Sequence, residues 1–140
     1  MFDPSKTLVI ANPMARHGFV GDHWEELSVR IRKALGPVEL QLTESRGDGL
    51  RIGKEAIANG ARTIVSFGGD GTHSEVVDGI MQSGVNKEVT LGVLHAGTGG
   101  DFRKMIPGAE QLESACAVIR DEPAFNDVAL DEAAEGRLWI

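Results

Sequence analysis

Two rhythms of apolar and polar residues alternate along this chain. The segment Thr7-Leu8-Val9-Ile10-Ala11-Asn12 is apolar almost without break and reads as a strand buried on both faces. Residues 22–35 change period, because Trp24, Leu27, Ile31 and Leu35 fall on one face of a helix. Asp22 with Glu25 three positions later matches a capping box, and Gly36-Pro37 marks the stop. Residues 38–43 alternate with period 2, as expected of a strand open to water on one side. Asp48 is placed to cap a helix running to Asn59-Gly60, and residues 63–67 read as a third strand. A helix is expected over 72–81, with the pairs Val76/Ile80 and Val77/Met81, then a strand over 90–95. A last helix is expected over 109–120, with Leu112, Cys116 and Ile119 inward.

Strand–helix alternation with short loops predicts an α/β domain: a mainly parallel sheet in a three-layer α/β/α stack. We assign residues 1–122 to it. Residues 123–140 read as strand, acidic turn and the start of another strand, and Trp139-Ile140 are two large apolar residues with nothing left to pack on. They are expected to lead into a second, β-rich domain beyond residue 140. The unpaired apolar edge is expected to make this chain self-associate.

Three glycine-bearing loops fall at strand ends: residues 12–18, 68–72 and 96–102. Ligands of open parallel sheets sit beyond the carboxyl ends of the strands, so three such loops predict one cleft. Gly68-Gly69-Asp70-Gly71-Thr72 opens a helix. Bare backbone N–H groups and the positive end of that helix suit a chain of phosphates. Asp70 would repel phosphates unless Mg²⁺ stands between them, or else it orients a water or hydroxyl. Thr72-His73-Ser74-Glu75 also matches a capping box, so Glu75 reads equally as a cap and as a cleft residue. The third loop repeats the design, with Gly97, the Thr98 hydroxyl and the Asp101 carboxylate. Asn12 ends the first strand, where its amide reaches the cleft or closes an ordinary turn. His73 and His95 read as satisfied loop histidines near the cleft, and Cys116 as core.

Composition narrows the class. The chain has 140 residues, 41% of them apolar and 25% charged, which is the globular range. Its formal net charge of −7 argues against nucleic acid as a partner. A single cysteine excludes a disulfide framework, and neither a signal peptide nor a membrane span is visible, so a cytoplasmic location is expected. The four histidines have no metal-ligand spacing. Neither a P-loop nor a dinucleotide fingerprint follows the first strand.

The stretches FGGDGTHSEVVDGI, LGVLHAGTGGDFRK and NPMARHG, with LTESRGDG between them, resemble the diacylglycerol kinase catalytic domain family. The likeness runs over residues 7–107 and more faintly to 140. That family includes bacterial lipid kinases, sphingosine kinases and ceramide kinases. It shares a GGDG-type loop and an N-terminal α/β fold with the NAD kinases. The resemblance implies phosphoryl transfer from ATP, with Mg²⁺, to a lipid hydroxyl such as that of diacylglycerol, and peripheral contact with the inner membrane face. It implies that Gly68, Gly69, Gly71 and Thr72 cradle the phosphates, and that Asn12, Thr43 and Thr98 line the nucleotide cleft. By the same resemblance Asp70, the candidate catalytic residue, acts through a magnesium and water network, and Glu75 holds the loop from behind. The general base and much of the lipid site are expected in the second domain, which leaves this piece inactive alone. Ala15-Arg16, His95-Ala96, Gly100 and Gly47-Asp48-Gly49 depart from the family pattern. An NAD kinase-like enzyme and a non-catalytic nucleotide-binding module are the alternatives.

Overall fold

Four parallel strands in the order β2-β1-β3-β4 carry the domain. They are β1 (Thr7–Ala11), β2 (Glu39–Leu42), β3 (Thr63–Gly68) and β4 (Thr90–His95). The computed structural model describes residues 2–96 and 112–121 in full, and the backbone of 130–131 and 137–138. β1 and β3, uninterrupted apolar runs but for Thr7, Thr63 and Ser66, are buried along their whole length at the centre of the sheet. β2 is an edge: Glu39 and Gln41 face water, and Leu40 and Leu42 pack on the core. The period-2 pattern there is that of a half-covered strand.

Successive side chains of β3 show the two helical layers. Phe67 meets Trp24 of helix α2 (Trp24–Leu35), with ring centroids 6.4 Å apart, whereas Ser66 meets His73 of α4 (Asp70–Gln82) at 2.7 Å. Neighbours on a strand point to opposite faces, so α2 and α4 lie on opposite sides of the sheet. Helix α3 (Asp48–Ala58) packs beside α4, and α5 (Leu112–Asp121) beside α2. The stack is therefore α/β/α around a core that includes Ile10, Ile31, Ile64 and Ile80, all fully buried. Each such side chain contributes about 1.5–3 kcal/mol by leaving water, far more than the few tenths per residue that separate most residues in helix propensity.

The two helix pairs are joined differently. α3 and α4 approach through small residues. A Cβ on Gly79 would stand 2.5 Å from the backbone oxygen of Leu50, so no larger residue fits there without parting the helices. α2 and α5 are joined at the surface by Arg30, whose guanidinium donates to both oxygens of Glu113 at 2.7 Å. Those bonds hold the Glu113 carboxyl down at about 2. Arg120 also donates to the Ala34 carbonyl at 2.9 Å. Beneath them Cys116 is fully buried, and burial pushes its thiol up to about 12, as befits a core residue.

Several helix starts differ from the sequence expectation. The first long helix begins at Trp24, preceded by a separate turn, α1 (Phe19–Asp22). Its N-cap is His23, with no side-chain cap bond, so Asp22 and Glu25 form no capping box. Asp22 is already spent as the last residue of α1. The N-cap of α3 is Gly47, at φ 91, rather than Asp48. α4 starts two residues early, at Asp70, because Gly69 takes the extended N-cap conformation. Near the end of the chain, Leu130–Asp131 (β5) and Arg137–Leu138 (β6) form a short antiparallel ladder.

Candidate functional site

The sheet register brings the strand ends level: Ala11 pairs with Leu42 and with Phe67, and Gly68 with His95. Everything that follows Ala11, Leu42 and Gly68 therefore emerges at one edge. The chain reverses at Asn12, whose backbone N–H donates to Phe67 at 2.9 Å and whose Oδ1 accepts from the Met14 N–H at 3.0 Å. That side-chain oxygen closes the turn, which leaves the amide nitrogen as the group Asn12 can offer a ligand. Arg16, His17 and Gly18 then take positive φ values of 54, 57 and 88. For the non-glycine residues this conformation costs about 1–2 kcal/mol each. The Arg16 guanidinium rests 5.4 Å from the Phe19 ring centre.

After β2, the Thr43 N–H donates to the Ala11 carbonyl at 2.9 Å. The Asp48 carboxylate accepts the N–H groups of Glu44 (2.7 Å) and Ser45 (3.0 Å) and folds the loop back on itself. These bonds hold its carboxyl below the usual range. Glu75 reaches across from α4: its Oε1 accepts from Gly47 N–H at 3.1 Å and Gly49 N–H at 3.0 Å. Glu75 therefore caps the neighbouring helix rather than its own, and Thr72 lies inside α4 rather than at its cap. The capping-box alternative for residues 72–75 is overturned, since the helix starts at Asp70 and its N-cap is Gly69.

The glycine-rich segment divides its tasks. Gly68 is buried in β3, and a Cβ there would sit 2.7 Å from the Thr72 hydroxyl oxygen. Its bareness serves packing against Thr72. Gly71 is exposed and a Cβ would meet nothing within 4 Å, so no internal contact demands glycine there. No side chain caps the α4 N-terminus. Its first N–H groups, at the positive end of the helix, are of the kind that suits an anion.

A cleft of about 670 Å³ opens between these parts. Asn12, Thr43, Gly71, Thr72 and Glu75 line it, together with Arg46, which sequence reasoning did not single out. Arg46 sits in the quoted LTESRGDG stretch, and its position after a strand end was the available signal. Asp70 faces the other way, toward the end of β4. Its carboxylate is half exposed, with Oδ1 4.0 Å from Nδ1 of His95. Gly97, Thr98 and Asp101 lie outside the described residues, so two of the three loops are seen.

His73 is buried to 1% and bonded on both ring nitrogens, to Ser66 Oγ at 2.7 Å and to His95 Nδ1 at 3.3 Å. Burial, with His95 beside it, drives its pKa down to about 3, so the ring is neutral at pH 7. Among the described residues no three His, Cys, Asp or Glu side chains converge on a metal position. The donor set fits Mg²⁺ only in the form it takes with nucleotides, one carboxylate supplemented by water and phosphate oxygens. Among the described residues, no helix is long and apolar enough to cross a membrane.

Residues 6–128 match the family model of the diacylglycerol kinase catalytic domain. The chain is 33% identical over 94 residues to the "Probable lipid kinase YegS-like" protein of Chromohalobacter salexigens, covering 67% of this chain and 30% of that one. It is 32% identical over 108 residues to the "Probable lipid kinase YegS" of Escherichia coli, covering 77% and 35%. Its fold superposes on the crystal structure of a diacylglycerol kinase from Bacillus anthracis with a TM-score of 0.68 at 26% identity, over 84% of this chain and 42% of that one. The chain thus spans 30% and 35% of the length of those two relatives. The parallel order of strands, the glycine-opened α4 and the sequence match agree, and the chain belongs to the diacylglycerol kinase catalytic domain family.

Proposed function

We propose that this chain is the nucleotide-binding domain of an ATP-dependent lipid kinase, which transfers the γ-phosphoryl group of ATP to a lipid hydroxyl, diacylglycerol being the first substrate to test. The observation that carries the reading is the cleft that gathers Asn12, Thr43, Gly71, Thr72 and Glu75 from three separate elements beside an uncapped helix N-terminus. The N–H groups at the start of α4 would bind phosphate oxygens, and exposed Gly71 lets those oxygens approach the backbone. The Asn12 amide and the Thr43 hydroxyl would orient the rest of the nucleotide. Glu75 does not touch the ligand in this reading. It holds residues 47–49 against α4 and so fixes the width of the cleft.

A bound Mg²⁺ supplies charge neutralisation for the phosphates. Asp70 is the carboxylate placed to hold that ion, directly or through water, because it is half exposed in the first turn of α4. The lipid site and the general base belong to a following domain, with residues 123–140 as the connection. By the family resemblance, Gly97, Thr98 and Asp101 would also serve nucleotide binding.

Titration of the isotopically labelled chain with Mg·ADP is expected to shift the amide resonances of residues 12, 43 and 69–75 together. Shifts scattered elsewhere, or none at millimolar nucleotide, would overturn the nucleotide assignment. A longer chain that includes the next domain is expected to phosphorylate diacylglycerol and to leave NAD unmodified. Asp70→Asn should lower that turnover by about 100-fold or more, the scale on which charge-stabilising groups act.

A further inference from the structure

Three polar side chains run in file through the layer between the sheet and α4. Ser66 lies in β3, His73 one turn into α4, and His95 at the end of β4. All three side chains are 0–1% exposed. Around them the layer is apolar, with Ile64, Val76 and Ile80 fully buried. Ser66 Oγ is 2.7 Å from His73 Nδ1, His73 Nε2 is 3.3 Å from His95 Nδ1, and His95 Nδ1 is 4.0 Å from Asp70 Oδ1. The file thus leads from the middle of the sheet to the half-exposed Asp70 carboxylate in the first turn of α4, beside the end of β4.

Packing alone does not call for this arrangement. Leucine at position 95 or 73 would fill the same space without the cost of burying polar groups, which is about 1–3 kcal/mol for each one left unpaired. Asp70 and His73 are three residues apart on α4 and so share one helix face. His95, at the end of β4, stands against both. The last step is too long for a hydrogen bond. It is an electrostatic contact between the carboxylate and the edge of the imidazole ring.

We propose that His95 and His73 are positioning residues for Asp70: anchored by Ser66, they select the side-chain rotamer that Asp70 presents to solvent at the start of α4. The proposal rests on the nucleotide reading only for its consequence, a cation and phosphate site set in place before ligand arrives. The positioning itself is a property of the unliganded chain. A buried network in which every member is satisfied fixes its own geometry and so has the rigidity this role requires.

Three-bond couplings from the Asp70 carboxyl carbon report its χ1 rotamer directly in the unliganded chain. The wild type is expected to show one rotamer, and His95→Leu and His73→Leu to show averaging while keeping a folded amide spectrum. His95→Asn, whose amide nitrogen falls near the place of Nδ1, is expected to restore the single rotamer. Mg·ADP affinity should fall about 10-fold in the leucine variants and recover in His95→Asn. An Asp70 rotamer unchanged in folded leucine variants, or already averaged in the wild type, would overturn the proposal. Asp70→Asn supplies a reading free of core changes: it is expected to move the ring nitrogen resonances of both His95 and His73, and unmoved resonances would also overturn it. A single wild-type rotamer that averages in the variants, in a chain that does not bind Mg·ADP, would uphold the positioning and refute the nucleotide reading.

Discussion

The two flanks of α4 are held by opposite means. On the β2 side, at the water's edge, the Glu75 carboxylate takes two backbone N–H groups of the neighbouring loop. On the β4 side, inside the core, neutral His73 is held by a serine hydroxyl and a second histidine. The division follows from solvation. A carboxylate keeps its charge where water still reaches it, and a group that must be buried is affordable only when it can stay neutral. His73 meets that condition, since burial keeps its pKa near 3. The flank that borders the cleft is therefore held by a carboxylate that water reaches, while the flank beside Asp70 is dry and fixed.

The contrast is sharpened most by removing the close helix contact on the first flank. Gly79→Val forces a side chain against the Leu50 carbonyl, and urea unfolding is expected to show a loss of about 3 kcal/mol, the upper range for overpacking. Glu75→Ala should cost less, about 2 kcal/mol, by stranding the N–H groups of Gly47 and Gly49. It should also widen the cleft enough to weaken Mg·ADP. An unchanged midpoint in Glu75→Ala would mean that water replaces the carboxylate freely, and the two flanks would then differ less than their geometry suggests.

The second flank is tested by pH. Folded His73 takes its proton only near pH 3, whereas an unfolded histidine takes it near 6.5. Between those values the unfolded state binds the extra proton, so stability is present above about pH 6.5 and is lost as pH falls toward 3. The slope from this one group reaches at most ~1.4 kcal/mol per pH unit. His73→Gln cannot take up that proton and is expected to show a shallower acid limb in denaturant midpoints measured from pH 7 to 4. Equal slopes would place the ring in a wetter setting. The smallest effect is expected from Arg30→Ala, because its pair with Glu113 is surface exposed and screened by water and salt.

Much of this was legible because it is local. The strands expected over 7–12 and 63–67 and the glycine-opened helix follow from runs and spacings within a few residues, whereas the place of Thr43 in the cleft came only from the family resemblance. Helix starts were less legible. The sequence signals at Asp22, Asp48 and Thr72 each named a polar cap, and the caps proved to be His23, Gly47 and Gly69, where backbone conformation decided instead. Glu75, read as a cap or a cleft residue, and His73, read as a satisfied loop histidine, were legible only in part, for a different reason. Their partners lie 26–28 residues away for Glu75, and 7 and 22 residues away for His73. A pairing between elements is set by how the sheet brings them together, and no local window contains it.

The Glu75 bridge also gives the loop after β2 a clock. The amides of Gly47 and Gly49 belong to the start of α3, where fraying would normally let them exchange with deuterium quickly. Held by a side chain of α4, they can exchange only when the two helices part or the carboxylate lets go. Their exchange rate in D₂O therefore measures how often the cleft opens in the absence of any ligand.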